Sequence, residues 1–294
     1  MAKVAFLGLG VMGYPMAGHL AAAGNDVTVY NRTASKAEAW VEEYSDKCTG
    51  ELYAAPTPAG AAADADFVFA CVGADKDVEH ICVGEEGAFA AMKKGAVFID
   101  HTTASAACAR EMADKANEYG LSFVDGPVSG GEAGAVNGVL TVMCGGDRAA
   151  FDAAEPIMQA YAKSIKLLGE AGAGQLTKMA NQICIAGTVQ GLAEALHFSM
   201  EAGLDAKGVV EVISKGAAQS WQMDNRANTM IDGEFDFGFA VDWMRKDLSI
   251  VLDEARRSGL SLPLTALVDQ FYADVQKMGG NRNDTSSLIR RFRD

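Results

Sequence analysis

The feature that most constrains this chain is a glycine-rich run, Gly8-Leu9-Gly10-Val11-Met12-Gly13, directly after the apolar segment Val4-Ala5-Phe6-Leu7. The apolar segment predicts a strand, and the residues beyond Gly13 predict a helix. In such a unit the first glycine permits a tight turn, the second lets the backbone approach a pyrophosphate, and the third lets helix and strand pack closely. The helix N-terminus adds N–H groups and a positive dipole end. The run therefore predicts a dinucleotide site at Gly8, Leu9, Gly10, Val11, Met12 and Gly13.

Short apolar runs alternate with alanine-rich helical patterns through the first half of the chain. The runs that predict strands are Lys3–Leu7, 27–30, 67–71, Val97–Asp100 and 123–125. This alternation is typical of a parallel sheet with helices on both faces. Residues 140–145 and 164–168 predict two later strands at the periphery of the sheet.

The pattern changes near residue 170, where a long helical run begins. It extends from about 174 to 202, with Gly203 as its stop, and the remainder of the chain is helical. A chain of 294 residues is expected to hold about two domains. We therefore expect an α/β Rossmann-type domain over residues 1–165 that binds NAD(P), and an all-α domain over residues 166–294 for substrate binding and oligomerisation. The long helix would join them.

The residues after the second predicted strand bear on the choice of dinucleotide. Asn31-Arg32-Thr33 begins eighteen residues beyond Gly13, where NAD enzymes usually carry Asp or Glu for the ribose hydroxyls. No carboxylate stands here to repel a 2′-phosphate, and Arg32 can stack on adenine and pair with that phosphate. The sequence therefore favours NADP over NAD, with Asn31, Arg32 and Thr33 as contacts; a solvated surface arginine is the alternative.

A second glycine-rich loop, Gly126-Pro-Val-Ser-Gly-Gly131, follows another predicted strand. Ligands bind at strand ends in sheets of this kind. Ser129 offers a hydroxyl, and Gly130 and Gly131 offer unobstructed N–H groups, which together suit a small carboxylate. A structural turn is the alternative.

Lys178 lies in the first turns of the long helix, with Gln175, Asn181 and Gln182 on its face. In a partly desolvated cleft its ammonium could donate a proton to a developing alkoxide. A solvated lysine is the alternative. Together with the two glycine-rich loops, Lys178 predicts hydride transfer between a nicotinamide and a small acid.

Composition excludes several other classes. The net charge of −14 argues against a nucleic-acid surface, and the uncharged run 179–193 is too short and too polar to span a membrane. The six cysteines show no CxxC spacing and the four histidines no HxxxH, so we expect no metal and reduced thiols in a cytoplasmic protein. His101 is expected to be a packed or backbone-bonded histidine.

Four motifs in chain order resemble those of the β-hydroxyacid dehydrogenase family, which includes 3-hydroxyisobutyrate dehydrogenase, tartronate semialdehyde reductase and glyoxylate/succinic semialdehyde reductase. They are Phe6-Leu-Gly-Leu-Gly-x-Met-Gly-x-Pro-Met-Ala17, Gly126-Pro-Val-Ser-Gly-Gly131, Gly172-x-Gly-Gln-x-x-Lys178 and Lys246-Asp247-Leu248. The resemblance covers essentially the whole chain. It implies a homodimer or homotetramer.

The resemblance also implies roles for particular residues. Lys178 would be the general acid in reduction and the base in oxidation, and Ser129, Gly130 and Gly131 would hold the substrate carboxylate. Thr103 would lie near the nicotinamide, and Cys71, Val72 and Gly73 would form the loop under the cofactor. Lys246, near cofactor and substrate, and Asp247 would close the site from the helical domain. Apart from the resemblance, a cluster of aromatic residues between 221 and 243 makes Phe239 a candidate for shaping the substrate pocket, with packing as an equal alternative.

One departure from the family concerns the polar partner of the lysine. Many members place Asn four residues after it, whereas this chain has Gln182 there and Asn181 one residue earlier. Tartronate semialdehyde reductases resemble this Asn-Gln pattern. We favour Asn181 as the partner, and which of the two amides contacts the substrate stays open.

The expected activity is NADP(H)-dependent interconversion of a short 3-hydroxy acid, such as 3-hydroxyisobutyrate or glycerate, and its semialdehyde. A glyoxylate/succinic semialdehyde reductase that forms a 4-hydroxy acid is the first alternative. The decarboxylating 6-phosphogluconate dehydrogenases typically carry His-Asn after the lysine and a longer helical domain, so Asn181-Gln182 weighs against that class. Imine reductases typically replace the lysine, so Lys178 weighs against them. A non-catalytic dinucleotide-binding module is a distant alternative, because the lysine tends to be lost there.

Overall fold

The computed structural model describes residues 2–293 of the chain. These residues form two compact units, one that reaches Lys178 and one that starts at Met179. The strands lie in the first unit: β1 Lys3–Leu7, β2 Asp26–Tyr30, β3 Leu52–Ala54, β4 Phe67–Ala70, β5 Val97–Asp100, β6 Ser122–Asp125, β7 Val128–Ser129, β8 Leu140–Gly146 and β9 Ala162–Leu167.

The sheet has the order β3-β2-β1-β4-β5-β6-β8-β7, with β9 paired to β8. The pairs from β3 through β6 are parallel, whereas β8 runs antiparallel to both β6 and β7. The chain order reverses at β1, which pairs with β2 on one side and with β4 on the other. In open parallel sheets, ligands bind outside the carboxyl ends of the strands at such a switch point.

Helices connect the strands of the first unit: α1 Gly13–Ala22, α2 Ala34–Tyr44, α3 Pro58–Ala62, α4 Asp75–Val83, α5 Ala106–Glu118, α6 Gly131–Val136 and α7 Arg148–Met158. They cover both faces of the sheet. Phe6 of β1 belongs to the hydrophobic cluster on one face, and Ala5 and Leu7 belong to the cluster on the other. A strand buried on both faces has a continuous apolar sequence, as β1 does.

The expected Rossmann-type fold with a helical C-terminal part is confirmed, with three differences in the sheet. The short strands β3 and β7 were not predicted. Cys71 lies in the loop after β4 and not within the strand. The expectation that residues 140–145 form a peripheral strand is wrong, since β8 is hydrogen-bonded to β6, β7 and β9.

The long helix is α8, Ala173–Glu201, with 29 residues. At 1.5 Å per residue it is about 43 Å long. It carries residues of both compact units, since the first unit ends at Lys178 and the second begins at Met179. Gly203 follows it with a φ of +73°, a left-handed conformation that favours glycine after a helix.

The rest of the second unit is helical: α9 Ala206–Ile213, α10 Trp221–Asp232, α11 Val241–Ser258, α12 Pro263–Lys277 and a 3₁₀ helix at Thr285–Phe292. A hydrophobic cluster with Leu196, Met244, Leu248 and Tyr272 forms its core. Across residues 2–293, no helix is both long enough and apolar enough to span a membrane.

Candidate active site

The first glycine-rich loop connects β1 to α1 at the switch point of the sheet. Gly8 has a φ of +100°, and its N–H donates to the carbonyl oxygen of Tyr30 at 2.8 Å. A Cβ on Gly8 would overlap the carbonyl oxygen of Cys71, and one on Gly13 would overlap that of Gly8. These two glycines are therefore required by the fold itself.

Gly10 differs from both, because a Cβ built on it meets no atom within 4 Å. The space beside the loop is open there. α1 begins at Gly13, and its N-cap residue Met12 provides no side-chain hydrogen bond to the helix. An open approach to the backbone and a helix N-terminus without a side-chain cap fit a pyrophosphate, which the N–H groups and the helix dipole would stabilise.

Asn31 supports this loop from the end of β2. Its Oδ1 accepts a hydrogen bond from the N–H of Leu9 at 3.0 Å, and its Nδ2 donates to the carbonyl oxygen of Thr33 at 3.1 Å. The Arg32 side chain is 91% exposed, and its Nη1 lies 4.0 Å from Oδ1 of Asp77. An exposed pair of this length holds a guanidinium only weakly.

The loop after β4 carries Cys71, Val72 and Gly73 and is held by the residues after β5. The N–H of Val72 donates to Oγ1 of Thr102 at 3.0 Å, and the N–H of His101 donates to the carbonyl oxygen of Ala70 at 2.7 Å. Thr102 is buried, whereas Thr103 is half-buried. Thr102 is thus a support for the loop that the sequence analysis missed, because neither its type nor its position distinguishes it from Thr103.

Asp100 ends β5 directly before these threonines. Its Oδ1 accepts from the N–H of Thr102 at 2.9 Å, and the side chain is 1% exposed. Burial, together with the nearby carboxylates of Asp125 and Asp75, raises the pKa of Asp100 to about 7, although the hydrogen bonds from Thr102 lower it. Asp100 therefore supports the turn at Thr102.

The second glycine-rich loop contains β7 and leads into α6. β7 pairs with β8 through Val128↔Val142 and Ser129↔Thr141. Gly130 and Gly131 have φ values of +132° and +61°, which favour glycine at both positions. Both glycines are exposed and Ser129 is half-buried, so the hydroxyl and the backbone of this loop lie at the surface of the unit.

His101 holds the start of that loop. Its Nδ1 donates to the carbonyl oxygen of Gly126 at 2.5 Å, and its Nε2 accepts from the hydroxyl of Tyr161 at 2.7 Å. Burial lowers the pKa of His101 to about 4, so the ring is neutral near pH 7. His101 is the packed, backbone-bonded histidine that we expected, and Tyr161 is a partner that the sequence did not indicate.

The carboxylate of Asp125 binds the N-terminal end of α8. Its Oδ1 accepts from the N–H of Gly172 at 2.7 Å, and its Oδ2 accepts from the N–H of Gln175 at 2.9 Å. Burial raises the pKa of Asp125 to about 6, although the backbone N–H donors favour the ionised form. The carboxylate occupies the position where a helix N-terminus stabilises negative charge.

Gln175 adds a second link between α8 and the sheet. Its Nε2 donates to the carbonyl oxygen of Thr102 at 2.8 Å, and its Oε1 accepts from the N–H of Ala104 at 3.0 Å. Both ends of the buried amide are therefore bonded to the segment after β5. Asp125 and Gln175 together fix the first turn of α8 to the ends of β5 and β6.

Lys178 lies one turn further along α8 and meets the second glycine-rich loop. Its Nζ donates to the carbonyl oxygen of Val128 at 2.9 Å, and the residue is only 8% exposed. The first unit thus brings together the lysine and the loop that the sequence singled out separately. The ammonium of Lys178 therefore lies beside Val128, which directly precedes Ser129.

Four polar residues of α8 and α11 form a connected group in the second unit, which we call the amide network: Asn181, Gln182, Lys246 and Asp247. Gln182 Nε2 donates to Oδ2 of Asp247 at 2.6 Å, and Asn181 Nδ2 donates to Oε1 of Gln182 at 2.8 Å. Lys246 Nζ lies 3.0 Å from Oδ1 of Asp247. The two amides and the Lys-Asp pair, far apart in sequence, are therefore in contact.

Phe239 lies just before α11 and is half-buried against the core of the second unit. Its N–H donates to Oδ2 of the buried Asp284 at 2.9 Å. Packing therefore accounts for its position. Within residues 2–293, no group of three or more His, Cys, Asp or Glu side chains has the arrangement of a metal site.

Comparison with known proteins matches both halves of the chain. A family model described as the NAD binding domain of 6-phosphogluconate dehydrogenase matches residues 3–169. A second, described as NAD-binding of NADP-dependent 3-hydroxyisobutyrate dehydrogenase, matches residues 172–292. Both describe nicotinamide-dinucleotide proteins, so the cofactor of this chain is a nicotinamide dinucleotide.

Individual proteins match over nearly the full length. An oxidoreductase of Shewanella frigidimarina is 62% identical over 292 residues, covering 99% of this chain and 98% of that protein. The 2-hydroxy-3-oxopropionate reductase of Escherichia coli is 34% identical over 288 residues, covering 98% and 96%. The structure of Mycobacterium tuberculosis 3-hydroxyisobutyrate dehydrogenase with L-serine has a TM-score of 0.89 at 29% identity and covers 100% of both chains.

The glycines of the first loop generate a prediction. Gly10→Ala should leave the unfolding temperature within about 2 °C, as surface substitutions do, because the new Cβ meets only open space. It should weaken dinucleotide binding about tenfold or more, or about 1.4 kcal/mol, by blocking the approach of the phosphates. Gly13→Ala should lower the unfolding temperature, because its Cβ overlaps Gly8.

The measurements are thermal unfolding and fluorescence titration with NADPH and with NADH. Wild-type dinucleotide affinity in Gly10→Ala would show that the pyrophosphate does not bind beside this glycine.

Proposed function

This chain belongs to the β-hydroxyacid dehydrogenase family, whose members are NAD(P)-dependent enzymes, and on that premise we propose that it interconverts a short 3-hydroxy acid and its semialdehyde with NADP(H). The observation that carries the proposal is the hydrogen bond from Lys178 to Val128, 2.9 Å long. It holds a buried proton donor beside a loop suited to a carboxylate. A short acid with its reacting carbon near its carboxylate needs both groups close together.

The substrate carboxylate binds to Ser129, Gly130 and Gly131. The hydroxyl and the two backbone N–H groups donate hydrogen bonds to its oxygens, and the absence of a Cβ atom at Gly131 leaves room for it. A Cβ added to Gly131 would meet no atom within 4 Å, so a ligand can approach the backbone there. His101 and Tyr161 keep the loop in place from behind.

Lys178 moves the proton of the reaction. In reduction its ammonium donates a proton to the carbonyl oxygen of the semialdehyde as that oxygen gains negative charge, and in oxidation the amine takes the proton of the hydroxyl. Asp125 and Gln175 fix the first turn of α8, so that Lys178 stands at a defined distance from the loop. Such positioning lowers the barrier because the reacting groups are already oriented.

The nicotinamide supplies or accepts the hydride. When the dinucleotide is bound, its pyrophosphate would be held by Gly8, Leu9, Gly10, Val11, Met12 and Gly13. Its nicotinamide end would be contacted by Cys71, Val72, Gly73 and Thr103, and its adenosine end by Asn31, Arg32 and Thr33. Arg32 is the basis for NADP over NAD, because its exposed guanidinium is weakly paired with Asp77 at 4.0 Å and can turn to a 2′-phosphate.

We assign dinucleotide binding to residues 1–165. We assign further substrate contacts, and the interface of a homodimer or homotetramer, to residues 166–294. In the second part Asn181, Gln182, Lys246, Asp247 and Phe239 are the proposed contacts or supports. Lys246 serves both cofactor and substrate.

The activity is tested with a panel of methylmalonate semialdehyde, tartronate semialdehyde, succinic semialdehyde and glyoxylate, each with NADPH and with NADH. We expect turnover of a 3-oxo acid with NADPH.

Arg32→Ala should weaken NADPH binding about tenfold or more, as loss of a charged phosphate contact does, and change NADH binding less than about twofold. Arg148→Ala is the matched control, since Arg148 is an exposed arginine paired with an aspartate in the same unit.

Outcomes of the panel separate the alternatives. Preference for NADH contradicts the role of Arg32, and turnover of succinic semialdehyde alone identifies a 4-hydroxy acid product. NADPH binding without turnover of any aldehyde would favour a non-catalytic module.

Lys178 gives a second prediction. Lys178→Ala should lower kcat about 10²-fold or more, as loss of a general acid does, and leave the Kd of NADPH within about twofold. Lys166→Ala, which removes an exposed lysine of β9, should leave kcat unchanged. Steady-state kinetics and dinucleotide titration measure both; a near-normal kcat in Lys178→Ala would remove Lys178 from the mechanism.

A further inference from the structure

We propose that Asp77 is a specificity-determining residue, whose carboxylate competes with the 2′-phosphate of NADP(H) for the guanidinium of Arg32 and thereby limits the preference for NADP(H) over NAD(H). The proposal rests on the proposed function, because that function assigns Arg32 to the 2′-phosphate. It concerns the adenosine end of the dinucleotide, so it is measured by binding and needs no turnover.

The carboxylate comes from a helix distant in the sequence. The residues directly after β2, Asn31-Arg32-Thr33, contain no acid, and neither does the first turn of α2. Asp77 lies in the first turn of α4, and its Oδ1 is 4.0 Å from Nη1 of Arg32. NAD enzymes of this fold usually carry an acid after β2 for the ribose hydroxyls. In this chain the fold instead brings an acid to Arg32 from α4.

Asp77 is held in place by its helix. At the start of α4, Oδ1 of Asp75 accepts a hydrogen bond from the N–H of Ser105 at 2.8 Å. Val78, which follows Asp77, is completely buried in the hydrophobic core of the first unit. Because α4 is anchored on both sides of position 77 and the side chain of Asp is short, the carboxylate is a fixed charge.

Arg32 is the adjustable partner of this pair. Its side chain is 91% exposed, whereas that of Asp77 is 30% exposed. The preceding residue, Asn31, is hydrogen-bonded to Leu9 and Thr33, so the backbone beside Arg32 is restrained while the long side chain reaches into solvent. Such a guanidinium can turn from a carboxylate to a phosphate.

Two negative groups therefore compete for one positive charge when NADP(H) binds. The 2′-phosphate must draw the guanidinium away from Asp77, whose carboxylate also repels the phosphate. NAD(H) carries a hydroxyl group in place of this phosphate and does not enter the competition. The expected size is a factor of about five in the Kd for NADP(H), the upper end for an exposed ion pair.

The test removes the charge of Asp77 and keeps its shape. In Asp77→Asn, the Kd for NADPH should fall about fivefold, and the Kd for NADH should stay within about twofold of wild type. Asp77→Glu keeps the charge and should keep both Kd values within about twofold. Fluorescence titration with NADPH and with NADH measures these values, and thermal unfolding reports whether each variant is folded.

Ionic strength separates an effect of charge from a structural one. The gain in NADPH affinity of Asp77→Asn should shrink when salt is raised from about 0.05 M to about 0.5 M, because salt screens exposed charges. A gain that arises from a rearranged helix would not respond in this way.

Two further variants complete the experiment. Asp152→Asn is the matched control, since Asp152 is an exposed aspartate paired with Arg148 at 3.0 Å in the same unit, and it should leave both Kd values unchanged. In the Arg32→Ala background, Asp77→Asn should change the Kd for NADPH less than about twofold, because no guanidinium remains to compete for.

Each outcome supports or overturns the proposal. An unchanged ratio of the two Kd values in Asp77→Asn overturns it, and so does an equal gain for NADH, which would not involve the 2′-phosphate. A full gain in the Arg32→Ala background overturns the competition for Arg32. An enzyme that turns over no aldehyde but shows the predicted Kd values removes the proposed activity and leaves the role of Asp77. An active enzyme with an unchanged ratio does the reverse.

Discussion

The carboxylate of Asp125 is the interaction on which the candidate site depends. It ends β6, accepts the N–H groups of Gly172 and Gln175, and thereby fixes the N-terminal end of α8 to the sheet. The loop that begins at Gly126 leaves the same strand end. One buried side chain therefore relates the proposed carboxylate site to the helix that carries Lys178. The cost of burying this carboxylate, visible in its raised pKa, is offset by backbone donors at a helix N-terminus.

Local sequence patterns predicted most of the fold. The alternation of apolar runs and helical segments indicated β1, β2, β4, β5 and β6, and the uninterrupted helical pattern indicated α8 to within a residue at each end. The strands β3 and β7 were missed because runs of three and two residues carry no periodicity. The place of β8 inside the sheet depends on pairings with β6, β7 and β9, which no local pattern encodes.

The candidate site, like the fold, was predicted from the sequence only in part. Glycines with a positive φ and a lysine on a polar helix face were recognisable in the sequence. The supports were not, because they join segments distant along the chain: Asp125 to Gln175, Gln175 to Thr102, and His101 to Tyr161. The hydrogen bond from Gln182 to Asp247 likewise joins residues 65 positions apart, so the sequence did not indicate it.

The most direct test of this account is the kcat of Asp125→Asn, measured beside its unfolding temperature and its Kd for NADPH. An amide at position 125 keeps one acceptor but turns an N–H group toward a backbone N–H of α8, so the first turn of the helix is displaced. We predict a folded protein that binds NADPH within about threefold of wild type, with a kcat lowered at least about tenfold because Lys178 is misplaced. A kcat equal to that of the wild-type enzyme would contradict the central role of this interaction.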